Sequence, residues 1–141
     1  MGKRREGREA AVQFLFQHDL NSGRQAELVG DFWELRPSTK EVREFCENLI
    51  KGVLANKESI DERIQKCTAN YELNRIAAVD RNILRVAIYE MLFCNDVPPV
   101  VSINEAIEIA KKFGAEESGR FVNGILDRVK LDLARPARTT S

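Results

Sequence analysis

From Val79 to Cys94 the chain reads as a helix that is apolar almost all the way round: Ile83, Leu84, Val86, Ala87, Ile88, Met91 and Leu92 leave no broad polar face. Such a helix has to be enclosed by other elements. The segment that follows, Asp96-Val97-Pro98-Pro99, removes two backbone donors and disfavours helix before each proline. A central helix with a sharp stop, surrounded by packed neighbours, is therefore the frame for the rest of the chain.

The neighbours also carry helical spacing. From Val42, the residues Phe45, Cys46, Leu49, Ile50, Val53 and Leu54 share one face, and Ser38 with Glu41 reads as a capping box at its start. After the prolines, Ser102 and Glu105 read as a second capping box. Ile103, Ala106, Ile107, Ala110 and Phe113 follow, and Gly114 suits a left-handed terminator. A last helix from about Glu116 buries Phe121 or Val122, Ile125, Leu126 and Val129, with Glu116 and Glu117 at its positive end. The N-terminal third gives a helix from about Arg5 to Leu20, with Ala11, Phe14, Leu15 and Phe16 on its apolar side, ended by Asn21-Ser22-Gly23. A shorter helix spans about Gln25 to Trp33.

No alternating segment bounded by hairpin turns is present. The expected fold is all-α, with about six or seven helices in two small packed bundles. The N-terminal bundle covers about 4–68 and the C-terminal bundle about 71–134, followed by a disordered tail at 135–141.

Composition removes whole classes of function. One histidine, His18, leaves no material for a catalytic triad or a multi-histidine metal site. Cys46, Cys67 and Cys94 are widely spaced without a CxxC, as expected of small core residues in a reducing cytoplasm. Neither a P-loop nor a GxGxxG is present, and no run of 18 apolar residues exists. Neither an enzyme nor a membrane protein is expected, and no cofactor or metal is implied.

The 22 basic and 22 acidic residues cancel, but unevenly. Lys3, Arg4, Arg5 and Arg8 face only Glu6 in the first eight residues, and five basic residues oppose two acidic ones beyond residue 117. Between Glu27 and Glu72, ten acidic residues outnumber seven basic. Arg4 or Arg5 falls beside Arg8 on a helix, where their guanidinium forks can converge on phosphates; spacing alone also fits a solvated N-terminus. Lys111, Lys112 and Arg120 flank Gly114 close to Phe113 and Phe121, the mixture of cations and rings that holds single-stranded RNA. Both phenylalanines fit core stripes equally well. Asn104 and Asn123 read as hydrogen-bonded structural amides within apolar segments, Arg85 and Glu90 as a structural or interface pair, and His18 as a favourable end to the first helix.

Several motifs occur in order: Val79-Asp-Arg-Asn-Ile-Leu-Arg-Val-Ala-Ile-Tyr-Glu-Met, Asp96-Val-Pro98, Ser102-Ile-Asn-Glu-Ala-Ile-Glu-Ile-Ala-Lys-Lys-Phe-Gly-Ala and Gly119-Arg-Phe-Val-Asn-Gly-Ile-Leu-Asp127. With Arg4-Arg5-x-x-Arg8-Glu9-x-Ala11 and Gln13-x-Leu15-Phe16, this succession resembles the NusB family of bacterial transcription antitermination factors from about residue 4 to 131.

The resemblance implies two helical bundles and a heterodimer with the ribosomal protein NusE. The pair would bind boxA single-stranded RNA in nascent transcripts, ribosomal RNA transcripts especially, and support the RNA polymerase elongation complex with other Nus factors in the cytoplasm. Some relatives form homodimers, and whether this chain does is left open. The resemblance makes Arg4, Arg5 and Arg8 an RNA-binding motif, with Glu6 weakening phosphate attraction where relatives often carry a base. It adds Glu117 to Phe113 and Phe121 on the RNA surface, joined by Lys111, Lys112 and Arg120. Asp80 matches a NusE contact position, Arg81 is added as its neighbour, and Tyr71 takes the place of a tryptophan anchor.

Overall fold

The computed structural model describes residues 2–20, 32–68 and 72–134. These form α1 (Gly2–Leu20), α2 (Lys40–Ala55), α3 (Lys57–Cys67), α4 (Ala78–Phe93), α5 (Pro99–Phe113) and α6 (Ser118–Ala134). A helical turn at 32–35 and a 3-10 turn at Leu73–Arg75 complete the regular structure. No described residue lies in a strand. Most of the expected helix at Gln25–Trp33, the Asn21-Ser22-Gly23 stop, Tyr71 and the tail at 135–141 lie outside the described residues.

Helix α4 is the hub, packing against α1, α2, α3, α5 and α6. Ile83, Leu84 and Ile88 are at most 1% exposed, each worth about 1.5–3 kcal/mol of burial. One apolar cluster runs from Phe14 and Leu15 through Val53, Ile64 and Leu84 to Ile109 and Leu126. Cys46 and Cys67 belong to it; Cys94 is only half-buried. Burial pushes the Cys46 thiol up to about 12. Sequence reading passed over α3, although Ile60, Ile64 and Cys67, all buried, have the i, i+4, i+7 spacing of an inward face.

The caps differ from expectation. Thr39, not Ser38, caps α2: its Oγ1 accepts from the Val42 amide at 3.2 Å, while Ser38 donates to Glu6 at 2.8 Å. Helix α5 starts at Pro99, where a missing donor costs nothing. Ser102 is thus a buried interior residue donating to Glu90, and Glu105 is free to pair with Arg5. Helix α6 begins at Ser118, so Glu116 and Glu117 precede it; the Ser118 hydroxyl accepts from the Ala115 amide at 2.8 Å.

Gly114 is extended (φ −93°), not left-handed, and is needed for space. A Cβ there would stand 2.5 Å from the Ser118 hydroxyl oxygen and 2.8 Å from the Ala110 carbonyl oxygen.

Polar residues on α4 are enclosed with partners from elsewhere. Arg85 donates to both carboxylate oxygens of Asp61 (2.8 and 3.0 Å) and to Asp19 (2.9 Å), and Asn82 also donates to Asp19 (2.9 Å). Glu90 pairs with Arg8. Arg85 and Glu90 are therefore each structural but are not partners: five residues apart on a helix, they point in different directions. His18 is in the last turn of α1 as expected, but buried against Phe14. Asn104 is exposed rather than a buried amide, and Asn123 is half-buried.

Among the described residues no helix is long and apolar enough to cross a membrane, and no group of three or more His, Cys, Asp or Glu could hold a metal ion.

Candidate nucleic-acid interface

Helices α1 and α5 both pack on α4 and are bridged by ion pairs. Arg5 grips Glu105 through two hydrogen bonds, at 2.8 and 2.7 Å. Further along, Lys112 donates to Glu9 at 3.0 Å. Since partners advance together from Arg5–Glu105 to Glu9–Lys112, the helices run in the same direction. The eight steps from Glu105 to Phe113 rise about 12 Å, which separates a cationic end at Arg4 and Arg5 from an aromatic end at Phe113.

The sequence-predicted cations do not stand alike. Arg4 and Arg5 are exposed. Arg8, expected on the RNA surface, is 4% exposed. It shares the inward face of α1 with Ala11, Val12 and Leu15, at the i, i+3, i+4, i+7 positions. Its Nε donates to Glu90 at 2.9 Å, with Glu105 at 3.7 Å. In this position Arg8 ties α1 to Glu90 on α4 and presents little of its guanidinium at the surface. The hydrogen bond from Arg5 holds the Glu105 carboxyl below the ordinary carboxylate range against partial burial, and the same pair raises Arg5 further.

At the aromatic end the candidates spread over three adjoining clefts. Phe113 is half-buried and lines an apolar recess of about 480 Å³ with Val12, Phe16, Phe32 and Val79. The Lys112 ammonium is 5.3 Å from the Phe113 ring. Lys111, Glu117 and Arg120, all exposed, meet in a polar cleft of about 760 Å³ between α5 and α6, joined there by Asn123. Glu117 also borders a smaller cleft of about 230 Å³, shared with Phe121 and Asp80. Lys111, Lys112, Phe113, Glu117, Arg120 and Phe121 therefore surround the single turn that joins α5 to α6. Arg4 and Arg5 stand apart at the far end of α1.

Asp80 is 9% exposed in the first turn of α4, and its Oδ1 has no hydrogen-bond partner among the described residues. The positive end of the helix dipole favours a carboxylate there. Arg81 is committed internally, donating to the carbonyls of Leu73 (3.2 Å) and Ile76 (2.9 Å) and to Asp19 (3.3 Å). Sequence reasoning missed Glu9, Asp19 and Asp61 as acidic partners and gave Glu90 and Glu105 other partners, Arg85 and Ser102. Helical spacing puts none of them next to its cation.

The NusB family model matches residues 5–130. The transcription antitermination protein NusB of Desulfatibacillum aliphaticivorans is 48% identical over 135 residues, covering 96% of this chain and 94% of its own. That of Methylacidiphilum infernorum is 46% identical over 138 residues, covering 97% and 96%. Among solved structures, T. maritima NusB superposes with a TM-score of 0.81 at 43% identity, covering 92% of this chain and 91% of that one. A crystal structure of antitermination factors NusB and NusE in complex with dsRNA superposes with a TM-score of 0.85 at 27% identity, covering 94% and 98%.

Proposed function

The chain belongs to the NusB family, and we propose that it acts as a transcription antitermination factor that binds boxA RNA together with NusE and supports processive elongation by RNA polymerase in the cytoplasm. The observation that carries this reading is the match over nearly the whole chain to proteins of that function. The solved NusB–NusE–RNA assembly at 27% identity supports the choice of partners.

Arg4 and Arg5 supply phosphate attraction in this reading. Lys111, Lys112, Phe113, Glu117, Arg120 and Phe121 supply a second contact zone around the turn between α5 and α6, with rings for stacking and Glu117 as an acceptor for a base edge. Arg8 supports the phosphate end from beneath by fixing α1 through Glu90. Asp80, with its unpartnered buried oxygen, is the stronger candidate for a NusE contact. Arg81 orients the approach to α4 through the Leu73 and Ile76 carbonyls. The division into bundles at about 4–68 and 71–134 belongs to the same proposal: α1 packs on α2, α5 on α6, and α4 touches both pairs.

The cation count explains why a partner is needed. Arg5 and Lys112 already hold carboxylates within 3.0 Å, so few cations on this surface are free of an acidic neighbour. Phosphate neutralisation is the main source of nucleic-acid affinity. The test is a titration of labelled single-stranded boxA RNA, a scrambled sequence and a duplex, each with and without NusE, over a salt series. Tight binding of boxA in the presence of NusE is expected. Equal binding of the scrambled RNA at every salt concentration would overturn the sequence-specific reading.

A further inference from the structure

The Phe45 ring, half-buried on α2, has two arginines of α1 against it: the guanidinium carbon of Arg4 lies 5.2 Å from its centroid and that of Arg8 5.5 Å. The approach depends on Gly7, since a Cβ there would lie 2.5 Å from Phe45 Cδ2. An alanine at that position would displace the ring.

The two cations are met differently. Arg8 has Glu90 at 2.9 Å inside the protein. The acidic neighbour of Arg4 among the described residues is Asp96, at 3.5 Å and between exposed side chains. The ring therefore orients Arg4 while leaving most of its charge available, because a cation over an aromatic face is attracted without being neutralised. A planar guanidinium already held in place gives up less freedom when it grips a phosphate.

We propose that Phe45 is a positioning residue for RNA binding, its ring holding the Arg4 guanidinium ready for a backbone phosphate. The inference rests on the RNA-binding reading above and names the device by which its phosphate end is organised.

The experiment is a double-mutant cycle in the full chain with NusE present, using Phe45→Leu, Arg4→Ala and the pair, and Phe45→Tyr as the conservative variant. Leucine keeps apolar bulk against the core, and binding of labelled boxA RNA is read well below each variant's unfolding midpoint. Phe45→Leu should weaken binding about two- to five-fold when Arg4 is present and leave it unchanged in the Arg4→Ala background. Phe45→Tyr should bind like the parent. An equal loss in both backgrounds, or none, overturns the positioning role.

A second readout needs no RNA. The Arg4 Nε–H resonance in a 15N-labelled sample should be shifted by the ring current, return to a solvent-like value in Phe45→Leu and stay shifted in Phe45→Tyr. An unshifted parent resonance overturns the proposal independently. Failure of the parent to prefer boxA over scrambled RNA overturns the functional reading instead.

Discussion

Replacing Arg8 with alanine separates a structural arginine from an RNA-binding one. Glu90 is 1% exposed, its Oε2 already has no partner among the described residues, and its Oε1 receives the Arg8 Nε at 2.9 Å with a longer contact of 3.4 Å from Ser102. Arg8→Ala would leave that carboxylate buried with only the serine. Removing one member of a buried ion pair costs about 3–5 kcal/mol, a large share of the 5–15 kcal/mol typical of a whole domain. For a chain of this length the thermal midpoint should fall by roughly 10–20 °C. Guanidinium and thermal unfolding followed by helical circular dichroism measure both quantities. Replacing both partners with apolar residues, Arg8→Met with Glu90→Leu, should recover most of the loss, since packed hydrophobes commonly match or exceed a buried pair. A loss below about 1 kcal/mol for Arg8→Ala, or a double variant no more stable than the single one, would refute the reasoning. If it stands, RNA binding by any variant that includes Arg8→Ala has to be read well below that variant's lowered unfolding midpoint. Arg4→Ala with Arg5→Ala is then the proper test of the phosphate end.

Glu105→Gln should tighten RNA binding a few-fold by releasing Arg5 from its carboxylate, with no gain in an Arg5→Ala background; titration of both pairs decides it, and a gain that persists without Arg5 would contradict the mechanism. Burial pushes the Asp19 carboxyl up, but the hydrogen bond from Asn82 and the charges of Arg85 and Arg81 outweigh it and hold the group below its ordinary range. The stability this supplies is fully present above the unfolded value of about 3.9 and lost as pH falls through the folded value. Asp19→Asn should therefore be less stable at neutral pH and show a flatter acid limb in denaturant midpoints; an unchanged limb would refute the assignment. Gly114→Ala should destabilise by about 1–3 kcal/mol, because its Cβ meets the Ala110 carbonyl oxygen at 2.8 Å; an unaltered unfolding midpoint would show that the turn yields freely.

The central helix, the proline stop and the core stripes of α2 and α6 could all be read along the chain, because burying one face of a helix imposes a period that local sequence records. Caps were less legible: Ser38, Thr39 and Ser102 are all competent hydroxyls, and which one meets an unpaired amide depends on where the helix starts in space. Of the candidate site, the residue types and the turn between Phe113 and Phe121 were visible. The state of each charge was not.

Apolar periodicity and breakers thus specified an all-helical chain with α4 enclosed, and the ordered motifs specified the family. Folding decided which cations remained available. Arg8 meets Glu90 across 82 positions, Arg5 meets Glu105 across 100 and Lys112 meets Glu9 across 103. Spacing along a helix tells which face a side chain occupies, but an ion pair between helices also needs their direction, rotation and depth of packing, and these are set by the way the apolar faces close around α4.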